Sequence, residues 1–346
     1  MDLWGVDMSK QLGRSTYLLE RGIYVIGKSA STSQKEADGP IGKYFKHIAS
    51  DDTLGEDSYE KAERRLMEET VFDAISNANK DEKDIDLLIG GDLLNQLVTT
   101  NYTARGYDIP FLGVYGACST MAESLIIASL IMDGGGANTV LCTTGSHFSA
   151  SERQFRNPLE LGCQRQTYSQ WTVTGMGATV LSNVEHSDVK ISMVSVGNVT
   201  DFGVLDIANM GAAMAPAAMN TLVNFFKDTN TGPSDYDLIA TGDLGKLGSD
   251  ILRDLMVGKG YPLGKNYMDC GHSIYNNEQK TFQGGSGAGC SACVLNSYIL
   301  DKLFAKELKK VIFVATGALM STTTNQQGDS IPCIAQLVVF ENCQGE

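Results

Sequence analysis

A cysteine stands at the start of a predicted helix, and the sequence around it occurs a second time along the chain. The first copy is the segment 116–120 (GACST) and the second is 287–291 (GAGCS). Cys118 and Cys290 are 172 residues apart, as are Thr144 and Thr316 in the apolar runs that follow. A thiol at the strand–helix turn of a repeated unit is typical of an enzyme scaffold with a cysteine nucleophile.

The chemistry open to Cys118 depends on this position. The N-terminus of a helix has unpaired N–H groups and the positive end of the helix dipole, which together stabilise a thiolate. The same N–H groups can bind the carboxylate of a ligand. The plainer interpretation is a small residue that packs at a buried turn, as free cysteines usually do. The motif alone leaves a nucleophile, a ligand contact and a packing residue open.

Apolar spacing predicts the elements that position the two motifs. We expect an amphipathic helix over 59–78, in which apolar residues recur every three or four positions, and a helix from Cys118 to about Asp133. Short apolar runs predict strands at 23–26, 86–89, 110–115 and 177–182. The polar stretch 29–40 predicts a loop.

A second pair of related segments supports a duplication. Residues 84–93 and 235–244 share an apolar strand followed by Gly-Asp-Leu, at an offset of 151. The two offsets leave 21 extra residues (172 − 151) in the second half, which we assign to a loop at 263–285. Alternating strands and helices predict parallel strands joined by crossover helices. We therefore predict two α/β halves, residues 1–188 and 189–346, that share one pocket about a pseudo-two-fold axis.

Composition narrows the classes of partner. The formal net charge is −14, from 41 acidic and 27 basic residues, so nothing indicates the basic surface that nucleic acid or an anionic membrane requires. No apolar run reaches the roughly 18 residues of a membrane-spanning helix, and no signal-peptide pattern follows Met1. The eight cysteines have no tight spacing pattern, which indicates reduced thiols in a cytosol-like compartment.

Six motifs, taken in order, resemble one protein family. They are 91–96 (GDLLNQ), 116–120 (GACST), 152–156 (ERQFR), 241–244 (TGDL), 269–271 (DCG) and 315–319 (ATGAL). Duplicated α/β halves with a cysteine at a central helix are similar to the thiolase and ketoacyl-synthase superfamily, and within it these motifs resemble the stage V sporulation protein AD family. The resemblance implies a thiolase-like α/β fold, in which two pseudo-two-fold-related halves form a layered αβαβα core.

The superfamily pattern is incomplete in this chain. Enzymes of the superfamily use a cysteine nucleophile aided by His or Asn donors from the second half. The corresponding segments, 241–243 (TGD) and 284–293 (GGSGAGCSAC), contain neither residue type. We therefore predict a non-catalytic protein. The alternatives are an acyl-transferring enzyme that uses Cys118 with His147 or His272 in a non-standard triad, and a scaffold with a vestigial pocket.

The family resemblance implies that the pocket binds dipicolinic acid, free or as its calcium chelate, for uptake into the developing spore. Dipicolinate is a flat pyridine with two carboxylates, which suits a helix N-terminus, a glycine loop and an arginine pair. The predicted ligand-binding residues are Asp92, Asn95, Cys118, Ser119, His147, Arg153, Arg156, Asp243, Cys290 and Ser291. We expect no cofactor and no resident metal. Ca²⁺ would arrive only with the ligand, and two carboxylates at the pocket would suit it.

Several of these residues also have structural interpretations. Asp92 and Asp243 each precede a turn that an aspartate can cap. The arginine pair lies beside Glu152 and Glu160, which favours an ion-pair network. Cys290 and Cys293 form a Cys-x-x-Cys without the second pair that a zinc site requires, so packing explains them better.

The resemblance also implies partners and location. We expect a cytosolic-type soluble protein that membrane proteins of the spore uptake system hold at the inner membrane of the forespore or spore. A homodimer through the edge of the first-half sheet follows by analogy with the superfamily alone.

Overall fold

The computed structural model describes residues 10–155, 162 and 164–343. The strands in these residues are β1 (Lys10–Leu12), β2 (Thr16–Ser33), β3 (His47–Ala49), β4 (Leu87–Asp92), β5 (Phe111–Gly113), β6 (Thr139–Ser146), β7 (Trp171–Thr172), β8 (Gly175–Ser182), β9 (Val189–Ser195), β10 (Leu238–Thr241), β11 (Tyr267–Asp269), β12 (Gly285–Ser286), β13 (Lys310–Ala318) and β14 (Cys333–Asn342). The α-helices are α1 (Gln34–Ala37), α2 (Tyr59–Asn77), α3 (Val98–Ala104), α4 (Thr120–Asp133), α5 (Phe148–Phe155), α6 (Met210–Thr229), α7 (Gly245–Gly258), α8 (Cys270–Ile274), α9 (Ala288–Val294), α10 (Leu300–Phe304) and α11 (Thr322–Gln326). A π-helical segment, Leu295–Ile299, joins α9 to α10.

The main sheet repeats one strand order twice. From edge to edge the order is β11-β10-β13-β14-β9-β2-β8-β6-β4-β5. The outer three strands on each side are parallel, and β14 and β8 run antiparallel to their neighbours. β2 and β9 pair antiparallel in the middle. Read outward from that pair, each group of five has its strands in the same chain order, which is the pattern expected of a duplicated α/β unit.

The helices lie in three layers, which alternate with the two groups of strands. Helices α4 and α9 lie in the middle, where α4 contacts β4 and β6 of the first group and β13 and β14 of the second. α2 covers the outer face of the first group and α6 that of the second. α4 is buried on most of its surface, and its apolar residues belong to one core with both groups. A helix with sheet on both sides must be apolar nearly all round, as α4 is.

The fold agrees with most of the predicted elements and corrects two. The predicted helix 59–78 is α2, and the helix after Cys118 is α4. The prediction of a loop over 29–40 is wrong, because β2 continues to Ser33 and α1 follows it. The hydroxyl groups there are accommodated inside the fold: Thr70 of α2 donates a hydrogen bond to Ser31 Oγ at 2.7 Å.

The inserted segment 263–285 is likewise not a plain loop, since it contains β11 and α8. The division of the chain at residue 188 stays a prediction; in the structure the short connection from β8 to β9 lies there. Among the described helices, none has the length and apolar character needed to cross a membrane.

Candidate functional site

A strained turn presents Cys118 ahead of the central helix. Residues 117–119 form a 3₁₀ turn that leads directly into α4. Ala117 has a φ of 51°, in the left-handed region that residues other than glycine rarely adopt. Two bonds fix the turn, since Ser119 Oγ donates to Gly116 O and Thr120 Oγ1 donates to Ala117 O, both at 2.7 Å. The turn exposes only 5% of Cys118.

Cys118 lines a cavity to which both halves contribute. The apolar part of the wall consists of Leu93, Ala117, Phe155, Met210, Ala318 and Met320, and the remainder of Tyr115, Cys118, Ser151, Glu152, Thr172, Ser286 and Gly287. The lining is thus largely apolar, with a few polar groups that could orient a ligand.

Behind Cys118 lies the carboxylate of Asp243, which is completely buried. Its Oδ1 accepts a hydrogen bond from Thr316 Oγ1 at 2.9 Å, and its Oδ2 accepts from the Gly287 N–H at 3.0 Å and from Ser286 Oγ at 3.2 Å. The Cys118 thiol donates to the same carboxylate. Burial raises the pKa of Asp243 to about 6, and these donors oppose the rise. The described hydrogen-bond partner of the thiol is therefore a carboxyl group and not an imidazole.

Asp92, which matches Asp243 in the first half, has a different role. Its Oδ1 accepts from the Leu94 N–H at 2.9 Å, and its Oδ2 accepts from the Thr100 N–H at 2.8 Å and from Thr100 Oγ1 at 2.7 Å. Burial raises the pKa of this carboxyl as well. Asp92 is not part of the cavity wall. Asp92 therefore binds the backbone of the loop that precedes α3. This is the capping role that the sequence also allowed for it.

Three further predicted residues support the cysteine turn without lining the cavity. Ser119 is used within the turn itself. Ser291 of α9 donates through Oγ to the carbonyl oxygen of Cys118 at 3.3 Å. The Cys290 thiol lies 3.6 Å from the carbonyl oxygen of Gly242, and burial raises its pKa well above the usual range. The second cysteine of the repeat is therefore a buried packing residue.

No imidazole lines the cavity among the residues that the structure describes. His147 is buried, and its Nδ1 accepts the Ala150 N–H at 3.5 Å, so its Nε2 donates to Asp52 O at 2.8 Å. Burial lowers the pKa of His147. His272 is exposed at the end of a different surface hollow. Neither histidine proposed for a non-standard triad lies at Cys118.

The arginine pair and Asn95 also lie elsewhere or cannot be placed. Arg153 binds Glu60 of α2 through Nε at 3.1 Å and Nη2 at 2.5 Å, as the ion-pair interpretation anticipated. The side chain of Asn95 is exposed. Arg156 lies outside the described residues. The structure thus brings Cys118, Asp243, Ser119, Cys290 and Ser291 together, and it places Asp92, Asn95, His147 and Arg153 away from the cavity wall.

Sequence reasoning missed Glu152 as a wall residue. Its side chain is buried, and Oε1 accepts a hydrogen bond from Thr172 Oγ1 at 2.8 Å and lies 3.5 Å from Arg165 Nη2. The signal was present in the spacing of α5, because Ser151, Glu152 and Phe155 share one helix face. No group of three or more His, Cys, Asp or Glu side chains suited to a metal ion occurs in the described part of the chain.

Comparison with known proteins gives one family and one fold. A sequence model of the family described as stage V sporulation protein AD matches residues 13–341. The stage V sporulation protein AD of Bacillus subtilis (strain 168) is 46% identical over 336 residues, which cover 97% of this chain and 99% of that protein.

Solved structures with the same fold are distant in sequence. A 3-oxoacyl-[acyl-carrier-protein] synthase III from Aquifex aeolicus VF5 has a TM-score of 0.55 at 13% identity, over 92% of this chain and all of that one. An OleA variant from Xanthomonas campestris gives 0.60 at 12% identity, over 93% and 99%. Human mitochondrial 3-ketoacyl-CoA thiolase in complex with CoA gives 0.57 at 12% identity, over 94% and 99%. At these identities the likeness shows the fold alone.

Proposed function

The chain belongs to the stage V sporulation protein AD family, and we propose that it binds dipicolinic acid, free or as its calcium chelate, without acyl chemistry, for uptake into the developing spore. Family membership supports a role in sporulation. The thiolase-like fold supplies the cavity between the halves in which the ligand would lie.

One observation carries the non-catalytic part of the proposal: the Cys118 thiol donates its hydrogen bond to Asp243. A cysteine nucleophile reacts as the thiolate, and it needs a neighbouring base or a cationic partner to form it. An ionised carboxylate that accepts a hydrogen bond from the thiol favours the protonated thiol, because a thiolate beside it would bring two negative charges together. The cavity is present, but its described wall contains no imidazole that could take the thiol proton.

The chemistry of the wall suits a flat, polar-edged heteroaromatic ligand. Leu93, Phe155 and Met210 supply apolar surface for the faces of a pyridine ring. Hydroxyl groups of Thr172 and Ser286 lie on the wall for its polar edge. In the chelated form, Ca²⁺ prefers oxygen ligands, and among the described wall residues the Glu152 carboxylate is the charged one.

Isothermal titration calorimetry with dipicolinate tests this function. Titrations with EDTA and with equimolar Ca²⁺ separate the free acid from the chelate, and phthalate, a benzene dicarboxylate without the ring nitrogen, serves as the matched control. We expect a 1:1 isotherm for dipicolinate in at least one form and weaker binding of phthalate. Absence of heat, together with no rise in the unfolding temperature at millimolar ligand, would contradict the proposal.

Acyl transfer is the competing function, and the position of Cys118 on the cavity wall is what favours it. Incubation with acyl-CoA followed by intact-mass measurement distinguishes the two. An acyl adduct that disappears in Cys118→Ala would establish the enzyme interpretation. We expect no adduct, because no imidazole of the described wall is available to hold the thiol proton.

The proposal includes membrane partners of the uptake system. These partners would hold the chain at the membrane, and co-purification from sporulating cells tests this. A homodimer is a further part of the proposal, which sedimentation velocity would decide.

A further inference from the structure

We propose that the loop from Val199 to Asp206, which lies between β9 and α6, docks the chain onto a membrane protein. This inference rests on the proposed function and names the surface by which the membrane partners would hold the chain. The loop has three large apolar side chains that are mostly exposed: Val199 at 59%, Phe202 at 62% and Leu205 at 60%. Exposed side chains of this kind are normally scattered singly, whereas a group of them on one loop is typical of an interaction surface.

Hydrogen bonds to a neighbouring segment hold the backbone of this loop in place. The Thr200 N–H donates to the carbonyl oxygen of Cys333 at 2.7 Å, and the Cys333 N–H donates back to Thr200 O at 2.8 Å. The Ile331 N–H donates to the carbonyl oxygen of Val204 at 2.9 Å. The exposed side chains therefore project from a fixed framework, and a surface that is ordered before binding loses less conformational entropy when a partner docks.

The charges beside the loop select the chemistry of the partner. Asp201 and Asp206 lie exposed within the loop. Asp329 is exposed on the adjacent segment 319–332, whose Ser330 donates to Asp201 Oδ2 at 2.6 Å. Neither the loop nor that segment contains a Lys or an Arg. The partner that fits presents apolar side chains next to Lys or Arg, and cytoplasmic loops of membrane proteins carry an excess of these basic residues.

The same charges disfavour the two other occupants of an exposed apolar loop. An anionic lipid surface attracts basic segments and would repel Asp201, Asp206 and Asp329. In a symmetric dimer formed through this loop, these carboxylates would face the same carboxylates of the second copy, and like charges across an interface are costly. A basic segment of a different protein removes both penalties.

The position of the loop connects docking with the ligand. Met210, at the start of α6, lines the cavity and is four residues beyond the end of the loop (210 − 206). Four residues span at most about 14 Å, so the end of the loop lies within that distance of the wall. Met320, in the segment that is bonded to the loop, lines the cavity as well. A partner seated on the loop would therefore lie close to the cavity in which the ligand is proposed to bind.

Photocrosslinking in sporulating cells tests the surface. The probe is p-benzoylphenylalanine in place of Phe202 of the full chain, and mass spectrometry of the cross-linked peptide identifies what it touches. We expect a peptide of a membrane protein that contains apolar residues together with Lys or Arg. The matched control has the same probe in place of Phe72, which is 64% exposed on α2, and should not give this peptide.

Two pairs of substitutions measure the apolar and the charged contribution. Phe202→Ser should lower the amount of this membrane protein that co-purifies by roughly tenfold or more, as loss of an aromatic anchor does, whereas Phe72→Ser should leave it unchanged. Asp329→Lys should also lower it, and Glu82→Lys, with the same change of charge at an exposed position of the first half, should not. Unfolding temperatures identify a variant that fails to fold, and Leu205→Ser then replaces Phe202→Ser.

The cross-linked species decides the inference. A cross-link to lipid, to a second copy or within the chain overturns it, as does the absence of a cross-link or a peptide without Lys or Arg. Equal losses in Phe202→Ser and Phe72→Ser also overturn it. Calorimetry on the purified chain measures dipicolinate binding separately, and Phe202→Ser should keep the dissociation constant within about twofold. Failure of docking thus leaves ligand binding intact, whereas a wild-type chain that binds no dipicolinate overturns the proposed function.

Discussion

Replacement of Asp243 by asparagine should remove a specific part of the pH dependence of stability. Burial raises the pKa of this completely buried carboxyl from 3.8 to about 6. At about 1.4 kcal/mol for each tenfold change, the difference corresponds to about 3 kcal/mol. Because the folded pKa is the raised one, the stabilisation is complete below pH 3.8 and is lost as the pH rises through 6. The wild-type chain should lose up to about 3 kcal/mol of unfolding free energy at this residue between about pH 4 and pH 7.

The Asp243→Asn variant has no titrating group at this position. Its amide oxygen can still accept from Thr316 or Gly287, and its NH₂ group can donate to the Ser286 hydroxyl. We expect it to be less stable than the wild type by about 1 kcal/mol at pH 4, where one hydrogen bond is imperfect, and more stable at pH 7. Burial also raises the pKa values of Glu63 and Asp269. Glu63 titrates in both chains and cancels in the difference, whereas the repulsion between Asp269 and the Asp243 carboxylate is lost in the variant and is part of the measured difference.

Urea unfolding followed by circular dichroism, at intervals from pH 4 to pH 8, measures both free energies. Thr316→Val is the matched control, because it removes the donor to Oδ1 but keeps the carboxylate, so the loss of stability with pH must persist in it. A difference between wild type and Asp243→Asn that stays constant from pH 4 to pH 7 would refute the reasoning. It would mean that the carboxyl is already ionised at pH 4 and that its donors outweigh its burial.

Three further changes have expected outcomes. Cys118→Ala should weaken dipicolinate binding only a few-fold, and iodoacetamide should label Cys118 no faster than free cysteine, which peptide mass spectrometry checks. Gly287→Ala should destabilise by about 1–3 kcal/mol in thermal unfolding, because φ is +103° and a Cβ would lie 2.9 Å from Ser146 Oγ; Gly258→Ala, in open space at the end of α7, is its control and should not destabilise. Glu63→Gln should be more stable than wild type at pH 8 and not at pH 4 in urea unfolding, because complete burial raises the pKa of this carboxyl well above the usual range.

Much of the fold could be predicted because it rests on repetition and periodicity. The two offsets locate β4 against β10 and β6 against β13, and these strands occupy matching places in the sheet. The loop prediction at 29–40 failed because serine and threonine lower the apolar signal of a strand without preventing it from being buried. Local pattern cannot reveal that Thr70, 39 residues away, satisfies Ser31.

The site was harder to predict, because its residues are selected by contacts between distant elements. The three-residue spacing of Arg153 and Arg156 predicted that both lie on one helix face, but only the packing of α5 on α2 shows that Arg153 binds Glu60. Glu152, adjacent in sequence, faces the cavity instead.

The two matching aspartates, Asp92 and Asp243, bind different groups. This difference explains why the second half has a carboxyl group beside the Cys118 thiol. In the first half Asp92 itself binds the backbone after its strand, at Leu94 and Thr100. In the second half the equivalent bonds are made by Asp269, on strand β11, which has the place in the sheet that β5 has in the first half. Its Oδ2 accepts the Leu244 N–H and its Oδ1 accepts the Gly245 N–H, both at 2.9 Å.

Asp243 is thereby released from capping the turn after its own strand. Its carboxylate is free to face the other way, toward Thr316, Gly287 and the Cys118 thiol. A strand residue, Asp269, in a segment that the sequence predicted as a loop therefore affects the hydrogen bonding behind Cys118. The position of the Asp243 carboxylate behind Cys118 therefore depends on which aspartate binds the start of α7.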